Sequence, residues 1–335
     1  MATVPTTMGG ILIEKTGSSD VLQWKTDIPV PKLEKGQILV KNEWVGVNYI
    51  DTYFRTGLYK APLPFVTGGE AAGVVAAVHD SVSDFKVGDH VGYLSQTRGA
   101  YAQYSAVSEA KAINLPEGVS TKTAAASLLQ GLTALTLIRE AHHVKPTDWV
   151  FVTAAAGGVG TILCEMLSSV GAKVIGTAGT PEKMEQAKKN GANFVLSSRD
   201  APEKLIAEVK KITGHHGVDV IFDGIGKATI DMDFEIAARK ATICSYGNAS
   251  GAVPPVDIMK LAGTKNLKLM RPTLFAYLSD PDDFRRYAGE LVAMLKNGVV
   301  KLENTSDYKL EDAKSAHDDL ESRKTSGKLL LQVPQ

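Results

Sequence analysis

Cysteine is scarce in this chain, which has two among its 335 residues, Cys164 and Cys244. They lie far apart in apolar surroundings, which excludes a disulfide framework and a cysteine-rich zinc knuckle. An excess of charge of one sign is also missing, because 37 basic residues balance 37 acidic ones. A neutral total gives the protein no general attraction to nucleic acid or to an acidic membrane surface.

Long hydrophobic runs are absent as well. No uncharged stretch is long enough to span a bilayer, and the opening MATVPTTMGG lacks the basic and apolar segments of a signal peptide. There is no internal repeat. Together with the two unpaired cysteines, these features predict a cytoplasmic protein, and the length predicts about two domains.

The sequence changes character near residue 121. Before it, short β-branched runs such as QILVKNEWVGV are interrupted by glycine or proline, which predicts an irregular β barrel or sandwich. Between about Asp148 and Tyr246, strand and helix patterns alternate, which predicts βαβ units and a parallel sheet. The apolar KLLLQV near the end predicts a strand that joins the β-rich half, so the second domain is an insertion.

The segment WVFVTAAAGGVGTILCEML predicts a strand, a glycine-rich turn and a helix. Against the pattern G-x-G-x-x-G, Ala155 takes the first glycine position, Gly157 the second and Gly160 the third. Gly157 would let a pyrophosphate approach the backbone, and Gly160 would let helix and strand pack closely. The helix N-terminus would add free N–H groups, so the context favours a dinucleotide site over a structural turn.

The end of the second strand bears on the choice of dinucleotide. An acid that binds the ribose 2′-hydroxyl of NAD is expected there, about 20 residues after the glycine-rich turn. Residues 176–179 carry none, and Lys183 follows one helical turn later. Taken alone, Lys183 is better explained as a solvated helix lysine. Combined with the missing carboxylate, it favours NADPH, because a lysine supplies a point charge for a 2′-phosphate.

Several segments together resemble the medium-chain dehydrogenase/reductase superfamily, most closely its zinc-free, ζ-crystallin-like quinone oxidoreductase branch. These segments are GVNYIDTYFRTGLY, GGEAAGVV, LLQGLTA, AAAGGVG, SYGNASG, RPTLF and ESRKTSGK. The resemblance covers the whole chain and implies an α/β fold with two domains. A GroES-like β-rich catalytic domain would hold residues 1–126 and 272–335, and a Rossmann NADPH-binding domain residues 127–271. It also implies a homodimer that pairs sheet edges, with NLKLM as the candidate edge.

Zinc-dependent relatives have G-H-E where this chain has Gly69 before Glu70, and a cysteine near VGVNYID where it has none. A catalytic zinc needs three protein ligands. The sequence therefore predicts that no metal is bound. Glu70 is then better explained as a partly buried acid bound by backbone N–H groups than as a catalytic residue. Its small neighbours indicate close packing or space for a ring.

Without a metal, hydrogen bonds must polarise the substrate. The resemblance implies that Asn48, Asp51 and Tyr53 line the site near the nicotinamide, where Asn48 would orient an amide or hydroxyl and Tyr53 would donate to an oxyanion. Each has a structural alternative: Asn48 as a turn cap, Asp51 as the cap of the following helix, and Tyr53 as a core residue. Water is an alternative source of the proton.

The resemblance also implies cofactor contacts along the chain. These are Asn48, Tyr53, Gln130, Thr133, Gly157, Gly158, Val159, Gly179, Lys183, Ser198, Gly224, Tyr246, Gly247, Asn248, Pro272, Thr273, Leu274 and Arg323. Ser198 stands where many relatives have a tyrosine, so a hydroxyl remains to bond a phosphate but the stacking surface is gone.

The sequence thus predicts an NADPH:quinone oxidoreductase that uses no metal. A zinc-free NADPH-dependent reductase of enones or alkenals is the nearest alternative, because pocket shape decides between them. A different class is an NADPH-binding protein with a crystallin-like structural role or AU-rich RNA binding. RNA binding is weakly supported, since the net charge is zero and the lysine pairs lie on predicted solvated helix faces.

Overall fold

A computed structural model describes residues 4–96 and 98–335 of the chain. The chain forms two compact units. The first unit comprises Met1–Gln130, Ser279–Asn297 and Lys301–Gln335, and the second comprises Gly131–Leu278 and Gly298–Val300. Among the described residues, no helix combines the length and the apolar composition that a bilayer crossing requires.

The elements of secondary structure follow one another along both units. The strands are β1 Thr7–Ile13, β2 Gln23–Pro29, β3 Gln37–Val47, β4 Phe65–Val66, β5 Glu70–Val78, β6 His90–Leu94, β7 Tyr104–Ser108, β8 Ala112–Asn114, β9 Trp149–Val152, β10 Lys173–Ala178, β11 Phe194–Ser197, β12 Val218–Asp223, β13 Ala237–Ser245, β14 Lys268–Met270, β15 Thr305–Lys309 and β16 Lys328–Gln332. The α-helices are α1 Tyr49–Thr56, α2 Thr121–Thr136, α3 Gly158–Val170, α4 Pro181–Lys189, α5 Pro202–Ile212, α6 Ile230–Ile236, α7 Leu274–Tyr277, α8 Pro281–Lys296 and α9 Ala313–Glu321.

Antiparallel pairing dominates the first unit. Its larger sheet has the order β15-β16-β3-β5-β6-β8, with β7 also on β3, and a smaller sheet has the order β2-β1-β4. The predicted terminal strand is confirmed, because β16 pairs antiparallel with the end of β3 and places Leu329 opposite Val47. This register brings Lys328, at the start of β16, beside Asn48, which follows β3 directly.

A parallel sheet forms the second unit, with the order β11-β10-β9-β12-β13-β14. Counted from β9, this is strand order 3-2-1-4-5-6, the order of a Rossmann fold, so the predicted βαβ series is confirmed. Buried Phe151, Ile175, Ile221 and Ile243 stack in its core. The order of the strands reverses between β9 and β12, and such a reversal opens a crevice at the carboxyl ends of the strands.

Local boundaries in the second unit follow the sequence closely, with one exception. The helix α3 spans residues 158–170, as the pattern predicts. The sequence pattern predicts a helix over residues 230–238 and a strand from Ala241, but α6 ends at Ile236 and β13 begins at Ala237. The reason is tertiary: Ala237 pairs with Val218 before a register shift, and the regular pairing resumes at Thr242.

Candidate functional site

The glycine-rich bend of the second unit lies at the carboxyl end of β9, at the switch in strand order. Ala154 adopts a φ of 50°, so the left-handed residue precedes Ala155, which the motif comparison aligned with the first glycine. Gly157 is the N-cap of α3 and, being a glycine, has no side chain to bond the helix end. The backbone N–H groups of the first turn, at Gly158 and Val159, are therefore available to a phosphate.

Gly160 explains why this bend is tight. A Cβ atom at this position would lie 2.8 Å from Ala155 Cα and would overlap the carbonyl oxygen of Ala154. Glycine is needed because the first turn of α3 rests directly on the backbone that leaves β9. This is the close packing of helix and strand that the sequence predicts for the third glycine position.

A second group of candidate residues surrounds the end of β10. Thr180 caps α4 and its side chain accepts from the Lys183 backbone N–H at 3.3 Å. Ser198 Oγ lies within 3.5 Å of where a Cβ would stand on Gly179. Burial lowers the pKa of the half-buried Lys183 side chain. The structure adds the exposed carboxylate of Glu182 to this corner, in the first turn of α4.

The loops after β12 and β13 contact each other. A Cβ on Gly247 would lie 2.8 Å from Gly224 Cα, and Tyr246 N donates to Asp223 O at 2.8 Å. Arg271 Nη1 donates to the carbonyl of Gly247 at 3.3 Å. The structure therefore brings the predicted residues Gly224 and Tyr246–Asn248 together in the second unit.

The remaining predicted cofactor residues lie on several elements. Thr273 is the N-cap of α7, with Pro272 before it and Leu274 as the first helical residue. Thr133 lies on α2, and Arg323 follows α9 in the first unit with a φ of 58°. Gln130 is also on α2, and its buried side-chain oxygen has no hydrogen-bond partner within residues 4–96 and 98–335.

Asp223 holds the loop that carries Gly224. Its carboxylate accepts from the backbone N–H groups of Ile225 at 2.9 Å and Gly226 at 3.0 Å, and from the hydroxyls of Thr153 at 3.1 Å and Thr229 at 2.9 Å. Behind it lies Asp233, which is fully buried. Burial, and then the charge of Asp223, raise the pKa of Asp233 well above its usual range.

Replacing Asp233 with asparagine is expected to flatten the pH dependence of stability. The raised pKa means that the folded state binds a proton that the unfolded state releases, so this contribution is present at low pH and is lost as the pH rises from the ordinary carboxyl range towards the raised value. The loss amounts to at most about 1.4 kcal/mol per pH unit. Urea unfolding between pH 5 and 8, roughly the range over which stability is usually greatest, measures it.

The matched control is Asp231→Asn, which removes an exposed carboxylate from the same helix. This variant is expected to follow the parent curve. If Asp233→Asn loses stability with rising pH as steeply as the parent, the buried acid does not hold a proton in the folded protein.

In the first unit, Asn48 and Asp51 form the entrance to α1. Asn48 is the N-cap, and its backbone N–H donates to Asp51 Oδ2 at 2.8 Å. The interpretation of Asp51 as the cap before a following helix is wrong, because the helix already begins at Tyr49. Asp51 is its third residue, and its carboxylate reaches back to the first turn as in a capping box. Both residues are almost completely buried.

The side-chain amide of Asn48 is fully engaged. Its oxygen accepts from Lys328 Nζ at 2.9 Å, and its nitrogen donates to Glu70 Oε1 at 2.7 Å and to the Gly46 carbonyl at 3.3 Å. Since an asparagine amide has two donor hydrogens, both are occupied. Asn48 therefore holds its neighbours in place, and both of its amide hydrogens are engaged within the protein.

Glu70 has a partner that the sequence did not reveal. Its carboxylate accepts from the Leu129 backbone N–H at 2.7 Å, as expected, and also forms a fully buried ion pair with Lys328. Its small neighbours make this possible, because a Cβ on Gly46 would lie 2.6 Å from Glu70 Cδ. We call Asn48, Glu70 and Lys328 the buried triad.

Tyr53 lies one turn into α1 and is 9% exposed. Its ring packs edge-on against Tyr59, with centroids 5.3 Å apart, and Tyr59 in turn packs against Phe54. Tyr59 is a further aromatic residue that the sequence reasoning missed, although it lies in the quoted segment NYIDTYFRTGLY. Tyr53 thus lies on the short helix α1, whose N-cap is the buried triad's Asn48.

The histidine, cysteine and carboxylate side chains do not gather into a metal centre. Among the described residues, no group of three or more of them could hold a metal ion. Cys164 and Cys244 are buried, and burial raises the pKa of each thiol to about 12. They are consequently poor thiolate ligands.

Comparison with known proteins identifies both parts of the chain. The family model for an alcohol dehydrogenase GroES-like domain matches residues 34–117, and that for a zinc-binding dehydrogenase matches residues 158–293. A probable quinone oxidoreductase of Schizosaccharomyces pombe is 45% identical over 322 residues, with 96% of each chain covered. The predicted pairing of a GroES-like domain with a Rossmann domain is confirmed.

Two further similarities bear on the reaction. A solved structure of Escherichia coli quinone oxidoreductase complexed with NADPH matches with a TM-score of 0.93 and 38% identity, covering 97% of this chain and 99% of that one. A 2-haloacrylate reductase of Burkholderia sp is 35% identical over 334 residues, covering 97% and 98% of the two chains.

Proposed function

The chain belongs to the quinone oxidoreductase branch of the medium-chain dehydrogenase/reductase superfamily, and from this we propose that it reduces quinones with NADPH and without a metal ion. The observation that carries the proposal is the bend at residues 154–157. It presents an uncapped helix N-terminus at the switch point of a parallel sheet, which is where such sheets bind dinucleotides.

The residues present fit NADPH. The bend around Gly157 and Gly158 leaves backbone N–H groups for the pyrophosphate, and the buried oxygen of Gln130 is an acceptor without a partner in the described chain. Gly179, Lys183 and Ser198 would hold the 2′-phosphate at the end of β10. The remaining contacts would come from Thr133, Val159, Gly224, Tyr246, Gly247, Asn248, Pro272, Thr273, Leu274 and Arg323. When bound, NADPH supplies the hydride that reduces the quinone.

We assign separate tasks to the three catalytic candidates. Tyr53 would donate a hydrogen bond to the oxygen of the quinone that gains negative charge. Asn48 and Asp51 would fix the entrance of α1 and so the position of Tyr53, because their own hydrogen bonds are already used within the protein. The proton that completes the reduction would come from water.

The proposal of a metal-free reaction rests on the buried triad. Where zinc-dependent relatives have a histidine before the glutamate, this chain has Gly69, and the glutamate itself pairs with the Lys328 ammonium. A carboxylate so engaged has no need of a metal ion for charge balance. Quinones suit such a site, since they accept a hydride readily without a Lewis acid.

Several finer assignments belong to the same proposal. Residues 127–271 would bind NADPH, and residues 1–126 and 272–335 would bind the substrate. A ζ-crystallin-like homodimer would form through β14, which is the edge strand of the parallel sheet. The protein would work in the cytoplasm. RNA binding has only the resemblance behind it, and the zero net charge argues against it.

A reductase of activated alkenes is the second candidate function, and the similarity to 2-haloacrylate reductase favours it. NADPH oxidation by the purified protein across a panel of quinones and enones separates the two. Turnover that depends on an added quinone and is unaffected by EDTA supports the proposal. Turnover with enones alone favours the alternative, and loss of quinone turnover with EDTA contradicts the metal-free reaction.

Replacing Lys183 with alanine is expected to raise the KM for NADPH about tenfold, because a charge-assisted contact to a phosphate is lost. The KM for NADH is expected to stay nearly constant, since NADH carries no 2′-phosphate. Lys188→Ala, on the exposed face of the same helix, is the control and should change neither. Equal effects on the two cofactors would remove the argument for NADPH selectivity.

A further inference from the structure

A buried chain of hydrogen bonds joins the surface of the first unit to Asp51. We propose that Arg55, His317 and Tyr101 are positioning residues that favour the ionised form of Asp51 and thereby hold the α1 entrance in its active geometry. The inference deepens the proposed quinone reduction and rests on it.

The contacts of the chain are continuous. The Arg55 guanidinium binds the Glu321 carboxylate through Nη2 at 2.9 and 2.8 Å, and its Nη1 lies 3.1 Å from His317 Nδ1. Tyr101 Oη lies 3.1 Å from His317 Nε2 and 3.2 Å from Asp51 Oδ2. Every member except Glu321 is almost completely buried.

Arg55 determines the donor and acceptor at each step of this hydrogen-bonded chain. An arginine only donates, so His317 Nδ1 must accept. The proton of the neutral ring is then on Nε2, which donates to Tyr101 Oη. The Tyr101 hydroxyl is left to donate to Asp51. Reversing the bond between His317 and Tyr101 would place a hydrogen of His317 Nδ1 against the Arg55 guanidinium.

His317 remains neutral at any working pH. Burial, and then the nearby charge of Arg55, lower the pKa of His317 to about 3. The ring packs edge-on against Tyr101, with centroids 5.8 Å apart, which fixes its orientation. Because the ring is neutral and its tautomer is fixed, Arg55 determines which way the hydrogen bond between His317 and Tyr101 runs. No proton is transferred.

The pKa of Asp51 is subject to opposing influences. Burial favours its protonated form, whereas the Asn48 N–H and the Tyr101 hydroxyl both donate to Oδ2 and favour the anion. Two other charged groups face it, with Lys328 favouring the anion and Glu70 opposing it. The result is that the pKa of Asp51 is raised to about 7. Small changes in its donors therefore alter its charge near neutral pH.

The charge of Asp51 matters because of what the carboxylate holds. It binds the N–H of Asn48, whose side chain belongs to the buried triad, and it lies two residues before Tyr53 on α1. Protonation weakens this charge-assisted bond and loosens the first turn of the helix. Quinone reduction is thus expected to fall as the pH decreases through about 7.

The test compares Tyr101→Phe with the parent protein by the pH profile of kcat/KM for NADPH and a quinone. Removing the hydroxyl removes one donor to Asp51, so the acidic limb is expected to move upward by about one pH unit. This corresponds to about a fivefold loss at pH 7 and little loss at pH 9. Tyr93→Phe is the control, since its buried hydroxyl donates to Asn42 and not to the chain, and its profile should match the parent.

A measurement on the unaltered protein covers the case in which Tyr101→Phe does not fold. Nitrogen-15 NMR of the histidines, with His317 assigned through His317→Gln, should show a neutral Nε2–H ring from pH 5 to 9, a range that spans neutral pH. An Nδ1–H ring or a titrating imidazolium would overturn the inference. So would an acidic limb of Tyr101→Phe that coincides with that of an active parent.

Failure of the proposed function gives a different result. In that case the parent itself oxidises no NADPH with any quinone at any pH. The inference about Asp51 is then decided by infrared titration of its protonated carboxyl band, assigned through Asp51→Asn. The midpoint of this titration must rise in Tyr101→Phe, and an unchanged midpoint contradicts the chain.

Discussion

Replacing Lys328 with methionine is expected to lower the free energy of unfolding by roughly 3–5 kcal/mol and to abolish quinone reduction. The ammonium is 1% exposed and its partner Glu70 is 0% exposed, so the variant would keep a carboxylate without its counter-ion in the core. The Asn48 oxygen would lose its donor as well. Urea unfolding and NADPH oxidation with a quinone measure the two effects.

The double variant Glu70→Gln with Lys328→Met separates stability from function. It removes both charges together, and such neutral replacements of a buried pair are often tolerated or even stabilising. Most of the lost stability is therefore expected to return. Activity is expected to remain low, because the Asn48 oxygen then lacks the Lys328 ammonium and the entrance of α1 stays loose.

Lys122→Met provides the matched control. Lys122 also pairs with a carboxylate, that of Asp307, but both side chains are about two-fifths exposed. Such a surface pair contributes less than about 1 kcal/mol. If Lys328→Met costs no more than Lys122→Met and leaves turnover intact, the buried triad is not a constraint on the active site.

The bend between β9 and α3 could be predicted from the sequence because its requirements are local. A strand pattern, the four small residues AAAG and a helix pattern follow one another within about 20 residues, and the helix limits at Gly158 and Val170 agree with the structure. Glycine at position 160 is required by its contacts with residues 154 and 155, which lie only a few positions away. Geometry of this kind depends on residues that are close in the sequence, so a local pattern can predict it.

Lys328 could not be predicted as the partner of Glu70, because the two are 258 positions apart. The sequence showed a lone acid among small residues and correctly indicated close packing and a backbone donor. What closes the triad is the register between β16 and β3, and it is determined by sheet pairing and not by any local pattern. Lys328 is the last residue of the segment ESRKTSGK, but nothing in that segment indicates that the lysine is buried or that it pairs with an acid.

The start of helix α1 shows a different limit of prediction from sequence. Asn48 and Asp51 have the three-residue spacing of a capping box, but placing the cap at Asp51 moved the start of the helix by three positions. The hydrogen-bonded chain from Arg55 to Tyr101 was missed altogether, since His317 lies on a helix of mostly charged and small residues. Only the packing of α9 within the first unit reveals that this histidine is buried.

Replacing Gly160 with alanine is expected to weaken NADPH binding by roughly 10- to 100-fold, because forcing a methyl group into a packed contact costs about 1–3 kcal/mol. The added Cβ overlaps the Ala154 carbonyl and lies 2.8 Å from Ala155 Cα, so the bend must open. Opening it moves the N–H groups of Gly158 and Val159 away from their common target. Fluorescence titration with NADPH, independent of turnover, measures the loss.

Gly289→Ala adds the same methyl group where it meets nothing within 4 Å, inside α8. Because alanine is the better helix former, this variant is expected to gain about 0.5–1 kcal/mol in stability and to bind NADPH as the parent does. The difference between the two variants then isolates the bend from the general effect of losing a glycine. If Gly160→Ala binds NADPH as tightly as Gly289→Ala, the pyrophosphate does not rest on the first turn of α3. The nucleotide would then have to be held by the loops after β10, β12 and β13 alone.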